Sequence, residues 1–424
     1  MFFYFLLIRI AALCGHKKAQ ALLKGQSETI KQRTKELNAL RGSIWFHAAS
    51  VGEFEQARPM IERLKREHPE KKIVVTFFSP SGYEMRKNYN LADGVFYLPL
   101  ATGRNAKRFI EALRPSMAIF VKYEFWPAYL KELKKRDIPT YCISAIFRPK
   151  QRFFRWYGWP SRKLLKCFTH IYVQDERSEK LLKDHGISSC SVAGDTRFDR
   201  VAHNSQFTIH NSLPTRGTII SQFTKELGLI ERFVEGCERV VVAGSTWPED
   251  EKLLEAYMKR TEYSVQSTDQ VTKLILVPHE IDEAHLHFIF NLFKGCCVRY
   301  TRATETALLH ANVLIIDTMG LLSTIYRYGH AAYVGGGFGE GIHNTIEPAA
   351  FGRPVVFGPN YHHFREAQGL IDAGAGKSVK DYRELAAALD EALDNHQEMG
   401  DKAYQYVASE IGATDRIYGE LFNH

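Results

Sequence analysis

The chain has no Asp-x-Asp pair, no Gly-x-Ser-x-Gly elbow and no His-Glu-x-x-His stretch. The first absence removes the usual carboxylate pair for a nucleotide-bound divalent metal. The other two argue against a serine-hydrolase elbow and a zinc-protease helix. Cysteine is sparse and unpaired in pattern. The seven residues (Cys14, Cys142, Cys167, Cys190, Cys237, Cys296, Cys297) include no Cys-x-x-Cys. That argues against a disulfide framework and a thiolate zinc site, and fits a reducing compartment. The seventeen histidines, His362-His363 among them, show no metal-ligand spacing. Long apolar runs are also missing. Met1 to Cys14 is nearly all apolar but is broken by Arg9, and a bilayer span needs about 20 apolar residues. No Ala-x-Ala site follows it, so a cleaved signal peptide fits poorly. No internal repeat or low-complexity segment is visible.

What is present is globular: 45% hydrophobic, 12% aromatic and 25% charged residues, against a disordered or collagen-like chain. At 424 residues two domains are expected, because single cores rarely grow past about 250–300 residues. The net charge of +8 suits an acidic partner: a phosphate, a sugar acid, an anionic lipid or a nucleic acid. The charge is unevenly spread. Lys17, Lys18, Lys24, Lys31, Arg33, Lys35 and Arg41 follow the apolar N-terminus, against only Glu28 and Glu36. An apolar helix with a basic flank suits an anionic membrane surface, with the basic side cytoplasmic. A buried first helix is the alternative. Residues 138–174 contain no acid, yet carry Arg148, Lys150, Arg152, Arg155, Arg162, Lys163 and Lys166 among Phe147, Phe153, Phe154, Trp156, Tyr157 and Trp159. Arginine forks match phosphate and carboxylate. Aromatics suit a membrane interface, and nucleic-acid binding uses the same ingredients. A solvated basic helix with an apolar inner side is the plainer reading.

From residue 43 short β-rich runs alternate with helical patterns. Strands are expected at Ile44–Ala48, Ile73–Phe78, Val95–Leu98, Met117–Val121, Thr140–Ser144, Ile171–Val173 and Ser191–Ala193. After the polar stretch His203–Arg216 a second series follows at Val240–Ala243, Leu274–Val277, Val313–Ile316, Ala331–Val334 and Val355–Phe357. Helices are expected between them, among them Glu53–Arg66, Pro127–Lys135, Glu249–Lys259, Glu347–Phe351 and Tyr382–Asn395. The fold class is α/β with parallel sheets, in two doubly wound halves. Ligands in such sheets bind beyond the carboxyl ends of the strands.

Three motifs lie at those ends, and a fourth signal is compositional. A strand runs into Gly335-Gly336-Gly337-Phe338-Gly339-Glu340-Gly341, followed by Asn344 and Glu347 at capping-box spacing. A glycine-rich loop ahead of a helix offers N–H groups and a positive dipole end to phosphate. It matches neither Gly-x-Gly-x-x-Gly nor a P-loop; Gly376-Lys377-Ser378 ends like one, but residue 371 is Ile. Glu347 either caps the helix or accepts ribose hydroxyls. The second motif is His47-Ala48-Ala49-Ser50-Val51-Gly52-Glu53, where Glu53 stands where a general base would and Ser50-x-x-Glu53 also reads as a capping box. The third, Val121-Lys122-Tyr123-Glu124-Phe125-Trp126-Pro127, puts a lysine and a carboxylate at the same sheet edge. The fourth is the acid-free segment 138–174.

Taken in order, these blocks resemble the 3-deoxy-D-manno-octulosonic acid (Kdo) transferases. The residues carrying the resemblance are Trp45–Glu53, Glu124-Phe125-Trp126-Pro127, Gly194-Asp195-Thr196-Arg197-Phe198-Asp199, Ala243-Gly244-Ser245-Thr246, Val277-Pro278-His279, Asp317-Thr318-Met319-Gly320 and His343-Asn344-x-x-Glu347-Pro348. The resemblance implies a GT-B fold, two Rossmann-like domains facing across a cleft. It implies an inverting, metal-independent transfer of Kdo from CMP-Kdo to the lipid A precursor in lipopolysaccharide synthesis, with no cofactor. Glu53 would be the general base. Ser245, Pro278, His279, Met319, Gly320, Gly336, Gly337, Asn344 and Glu347 would hold the nucleotide. Ser50, Lys122, Glu124, Arg148, Arg152, Arg155 and Arg162 would meet the acceptor and its anions. The chain departs from the family where Lys122 stands near the base instead of an acid, where Leu321 follows Gly320 instead of Glu, and where His279-Glu280 replaces Arg-His.

The expected layout is a membrane anchor in 1–20, an acceptor domain in 21–205, a CMP-Kdo domain in 206–400 and a C-terminal helix in 401–424 packing back on the first domain. The expected place is the cytoplasmic face of the inner membrane, with anionic lipid as partner. A UDP-sugar GT-B enzyme, and a basic nucleic-acid-binding protein at the membrane, are the other readings. No helix-turn-helix, RNP or zinc signature supports the latter.

Overall fold

The computed structural model describes residues 2–31, 33–205, 224–263 and 271–422. The chain forms two compact units, 1–200 with 410–424, and 201–409. Much of the polar stretch expected to join the halves, residues 206–216, lies outside the described residues.

The first unit is built on a parallel sheet of β1 (Ile44–Ala48), β2 (Ile73–Phe77), β3 (Gly94–Tyr97), β4 (Met117–Val121), β5 (Thr140–Ala145), β6 (His170–Val173) and β7 (Cys190–Val192), in the order β3-β2-β1-β4-β5-β6-β7. Helices cover both faces, so the strands are continuous apolar runs rather than alternating ones. One face of β1 packs Trp45 against Phe109, Phe120 and Tyr129. The other packs Phe46 with Phe54, Ala57 and Ile119. Trp45 is fully buried because its Nε1–H finds Thr76 Oγ1 at 2.8 Å. Strand order reverses between β1 and β4, so the loops after these two strands diverge and leave a crevice.

The C-terminal helix Ala413–Phe422 belongs to this unit and buries Ile417 and Tyr418 in the Phe46 cluster. Asp199 anchors its start, accepting from Gly412 N at 2.6 Å, Thr414 N at 2.6 Å and Thr414 Oγ1 at 2.7 Å.

The second unit repeats the plan. Its strands are β8 (Arg239–Thr246), β9 (Thr272–Pro278), β10 (Cys297–Arg299), β11 (Val313–Ile315), β12 (Ala331–Val334), β13 (Val355–Phe357) and β14 (Gly376–Ser378), all parallel, in the order β10-β11-β9-β8-β12-β13-β14. The order reverses between β8 and β12. β10 and β14 were not expected from sequence. Each is a three-residue edge strand, too short for an apolar run to register.

Among the described residues no helix is long and apolar enough to cross a membrane. The first, Phe2–Leu13, has 12 residues and reaches about 18 Å, short of the roughly 30 Å of a hydrocarbon core. A spanning N-terminal anchor is therefore not supported.

Candidate active site

Glu53 lies in the first turn of the helix Val51–Glu67, at the crevice after β1. The capping box forms in both directions. Ser50 Oγ accepts from Glu53 N at 3.4 Å, and Glu53 Oε2 accepts from Ala49 N at 2.6 Å. Capping does not exhaust the carboxyl. Burial, then the charge of Glu124, push its pKa up to about 7, against the Ala49 N–H, the Lys122 ammonium and the Ser50 N–H. The side chain is only half-buried, so a substrate proton can reach it. A carboxyl that exchanges its proton near neutrality suits general-base work.

Glu124 is held across the crevice, after β4, by a hydrogen-bonded chain that starts at Trp45. Trp45 Nε1 donates to Thr76 Oγ1, which lies 2.9 Å from His47 Nδ1. His47 Nε2 lies 3.1 Å from Glu124 Oε2, and Trp126 Nε1 donates to the same oxygen at 2.5 Å. His47 Nδ1 also lies 3.1 Å from the Thr76 carbonyl oxygen, so both ring nitrogens face acceptor oxygens. His47 and Trp126 thus converge on one oxygen of Glu124. Register sets this up, since His47 pairs with Thr76 across β1 and β2. Lys122 closes β4 with φ of 60°, a left-handed turn that a lysine adopts at a cost.

The block Gly194–Asp199 supports the same helix from below. Buried Asp195 accepts from Gln56 Nε2 at 2.9 Å and from Arg197 Nη2 at 2.7 Å, and Thr196 Oγ1 donates to Gln56 O. Gln56 sits one turn after Glu53.

In the second unit, the carboxyl ends of β8, β9, β11 and β12 bring Ser245, Pro278, His279 and the glycine loop to one sheet edge, with Met319 and Gly320 in the loop that follows β11. Ser245 has φ of 54°. Met319 is 71% exposed. The glycine loop is wired differently from expectation. Gly336 N donates to Asp250 Oδ2 at 2.9 Å, and that buried carboxylate also accepts from Trp247 N at 2.9 Å and Tyr333 OH at 2.6 Å. The Gly336 N–H is therefore spent inside the protein. Gly337 is glycine because a Cβ there would stand 2.6 Å from the Gly358 backbone. The helix after the loop is short, Ile346–Ala350, with Thr345 at its N-cap. Asn344, expected at that cap, instead stands one residue earlier, accepts from Ile346 N at 3.0 Å and donates from Nδ2 to Glu347 Oε1 at 3.1 Å. A single turn carries little macrodipole.

Other groups fill this edge. Trp247, His279 and His343 stack with ring centroids 4.8 and 4.3 Å apart. Trp247 Nε1 donates to His343 Nε2 at 3.2 Å, which places the His343 proton on Nδ1. Burial and the neighbouring His279 hold the His343 pKa down at about 4, and burial lowers that of His279. Thr318 Oγ1 and Thr345 Oγ1, beside Met319 and Asn344, are buried without a hydrogen-bond partner. Among the described residues no group of three His, Cys, Asp or Glu is placed to hold a metal ion.

The acid-free segment 138–174 divides. Phe147 and Phe153 join Phe125 in the core, while Trp156, 90% exposed, Tyr157 and Trp159 face outward. Arg162 Nη1 is bound to the carbonyls of Phe153 and Arg155 at 2.8 and 3.2 Å, a structural tie rather than an open anion site. Arg152 and Arg155 are exposed. Burial raises the Tyr123 phenol pKa, and the nearby charge of Arg148 partly opposes that rise.

Residues 23–200 match the family model described as 3-deoxy-D-manno-octulosonic-acid transferase (kdotransferase). A 3-deoxy-D-manno-octulosonic acid transferase of Aquifex aeolicus is 30% identical over 368 residues, 86% of this chain and 89% of that one. The chain belongs to the Kdo transferase family. A second member, from Rickettsia bellii, is 25% identical over 95% of this chain and 90% of its own. The protein is thus a glycosyltransferase, and its two Rossmann-like units are those of the GT-B fold. A solved UDP-GlcNAc 2-epimerase from Neisseria meningitidis shares that fold, with a TM-score of 0.61 at 15% identity, covering 90% of this chain and 100% of its own.

For this Kdo transferase, sequence pointed to Glu53 and Glu124 but assigned no role to His47, Thr76 or Asp250. His47 was visible as the first residue of its block. Asp250 gave no signal, since Glu249-Asp250-Glu251 reads as the acidic first turn of the helix Pro248–Tyr263.

Proposed function

We propose that this transferase moves Kdo from CMP-Kdo to a lipid A precursor in lipopolysaccharide synthesis, inverting the anomeric centre without a divalent metal. The observation that carries the reading is the Glu53 carboxyl at the β1–β4 crevice, with its pKa raised to about 7. In the ionised form Glu53 removes the proton from an acceptor hydroxyl as that oxygen attacks the anomeric carbon and CMP departs. The like charge of Glu124 makes Glu53 a stronger base than an isolated carboxylate. Lys122 keeps Glu53 from staying protonated, and also offers a cation to the acidic sugar.

The CMP moiety is assigned to the edge formed by Ser245, Pro278, His279, Met319, Gly320, Gly337, Asn344 and Glu347, with Glu347 accepting from ribose. The orphan hydroxyls of Thr318 and Thr345 and the His343 Nδ1–H offer neutral donors to the nucleotide, and the absence of an Asp-x-Asp pair in the sequence supports a departure aided by such donors. Ser50, Arg148, Arg152 and Arg155 are assigned to the acceptor. Association with the cytoplasmic face of the inner membrane through the apolar helix Phe2–Leu13 lying in the interface belongs to the same reading. Thermal-shift titration tests the donor: CMP should raise the melting temperature and UDP should not. A larger response to UDP would refute the nucleotide assignment.

A further inference from the structure

The first unit contains a cavity of about 320 Å³ between the helices Phe2–Leu13 and Lys17–Lys31 and the start of the helix Gly103–Leu113. Three cations line it, Arg9, Lys31 and Arg108, with Gln26 and Asn105, and no acidic residue lines it. Among the described residues none of the three cations has a carboxylate partner within ion-pair distance. Gln26 is 4% exposed, and neither its Nε2 nor its Oε1 has a hydrogen-bond partner. A buried amide with both ends unpaired is costly unless something from outside completes it. Positive charge without a counter-ion, together with an unpaired amide donor, fits a phosphate.

The same helix that brings Arg9 to the cavity exposes Leu7, Ile10 and Leu13. Apolar surface for a chain and a cationic pocket for a head stand side by side, which is the pattern an anionic amphiphile matches. We propose that this cavity is a binding site for the phosphate head group of an anionic membrane lipid, seated by Arg9, Lys31, Arg108 and Gln26. The proposal deepens the membrane part of the proposed function. Its test uses no sugar donor, so it fails or holds independently of the transfer reaction.

The full chain is floated with vesicles of phosphatidylcholine alone and of phosphatidylcholine mixed with phosphatidic acid, and a parallel thermal-shift series uses inorganic phosphate. The wild type should prefer the phosphatidic acid vesicles. Lys31→Gln with Arg108→Gln should remove most of that preference, by about tenfold or more. Gln26→Leu, which changes no charge, should weaken it about threefold without lowering the melting temperature. Lys24→Gln with Lys35→Gln, an equal charge loss outside the cavity, should leave it nearly unchanged. Equal binding to both vesicles overturns the proposal. So does a Gln26→Leu protein that floats like the wild type, or a Lys24→Gln with Lys35→Gln loss as large as that of Lys31→Gln with Arg108→Gln, which would mean diffuse attraction. Stabilisation by inorganic phosphate without a vesicle preference overturns the lipid assignment.

Discussion

At Glu53 burial and Glu124 push toward the protonated form, while the Ala49 N–H and Lys122 push toward the charged one. The net position near 7 fixes the acid limb of the pH profile. Below that point kcat/KM should fall about tenfold per pH unit, as the ionised base becomes scarce. Glu124→Gln removes a like charge, so the limb should move to lower pH, yet stay above the ordinary carboxylate range because burial is the larger cause. Lys122→Met removes the opposing cation, and the limb should move up. A limb that ignores both substitutions belongs to another group. Stability carries the same signature with a definite sign. A carboxyl raised from 4.5 toward 7 stabilises the fold fully at low pH, and that contribution is lost as pH rises through the folded value. Glu53→Gln should therefore abolish transfer while making the protein more stable than wild type at pH 8, by about 1–3 kcal/mol. Unfolding midpoints of the two proteins at pH 5 and pH 8 check it. Sequence alone placed Glu53 at a helix start, where its local pattern reads as a cap. The raised pKa comes from burial first and then from Glu124, which is remote along the chain and arrives only through strand order.

Elements carry the next level. Strand positions were legible because buried parallel strands are uninterrupted apolar runs: β1, β4, β12 and β13 match their expected limits. The helix after the glycine loop was legible in place but not in character. Five glycines read as a phosphate cradle, whereas Asp250 claims the Gly336 N–H and close backbone contact with Gly358 explains Gly337. The loop is thus a rigid wall whose shape is fixed by a buried carboxylate. Asp250→Ala strands three donors, and should cost about 2–4 kcal/mol in denaturant unfolding and weaken CMP binding. Asp250→Asn, which keeps some acceptor capacity, should cost less. Equal stability of all three proteins would mean the loop holds its shape without Asp250.

At the scale of the whole molecule, two Rossmann-like units and the Kdo transferase family assignment agree on a glycosyltransferase, and the order of motifs along the chain had already implied both. The basic charge was legible in total but not in use. Arg162 holds backbone carbonyls, while Arg9, Lys31 and Arg108, far apart in sequence, line one cavity. The central claim is the reaction itself. Purified protein incubated with CMP-Kdo and lipid A precursor, followed by mass spectrometry of the lipid, tests it most directly. Addition of Kdo to the lipid by the wild type, absent with Glu53→Gln, is the predicted result. An unmodified lipid with active, folded wild-type protein, or equal addition by Glu53→Gln, would contradict it.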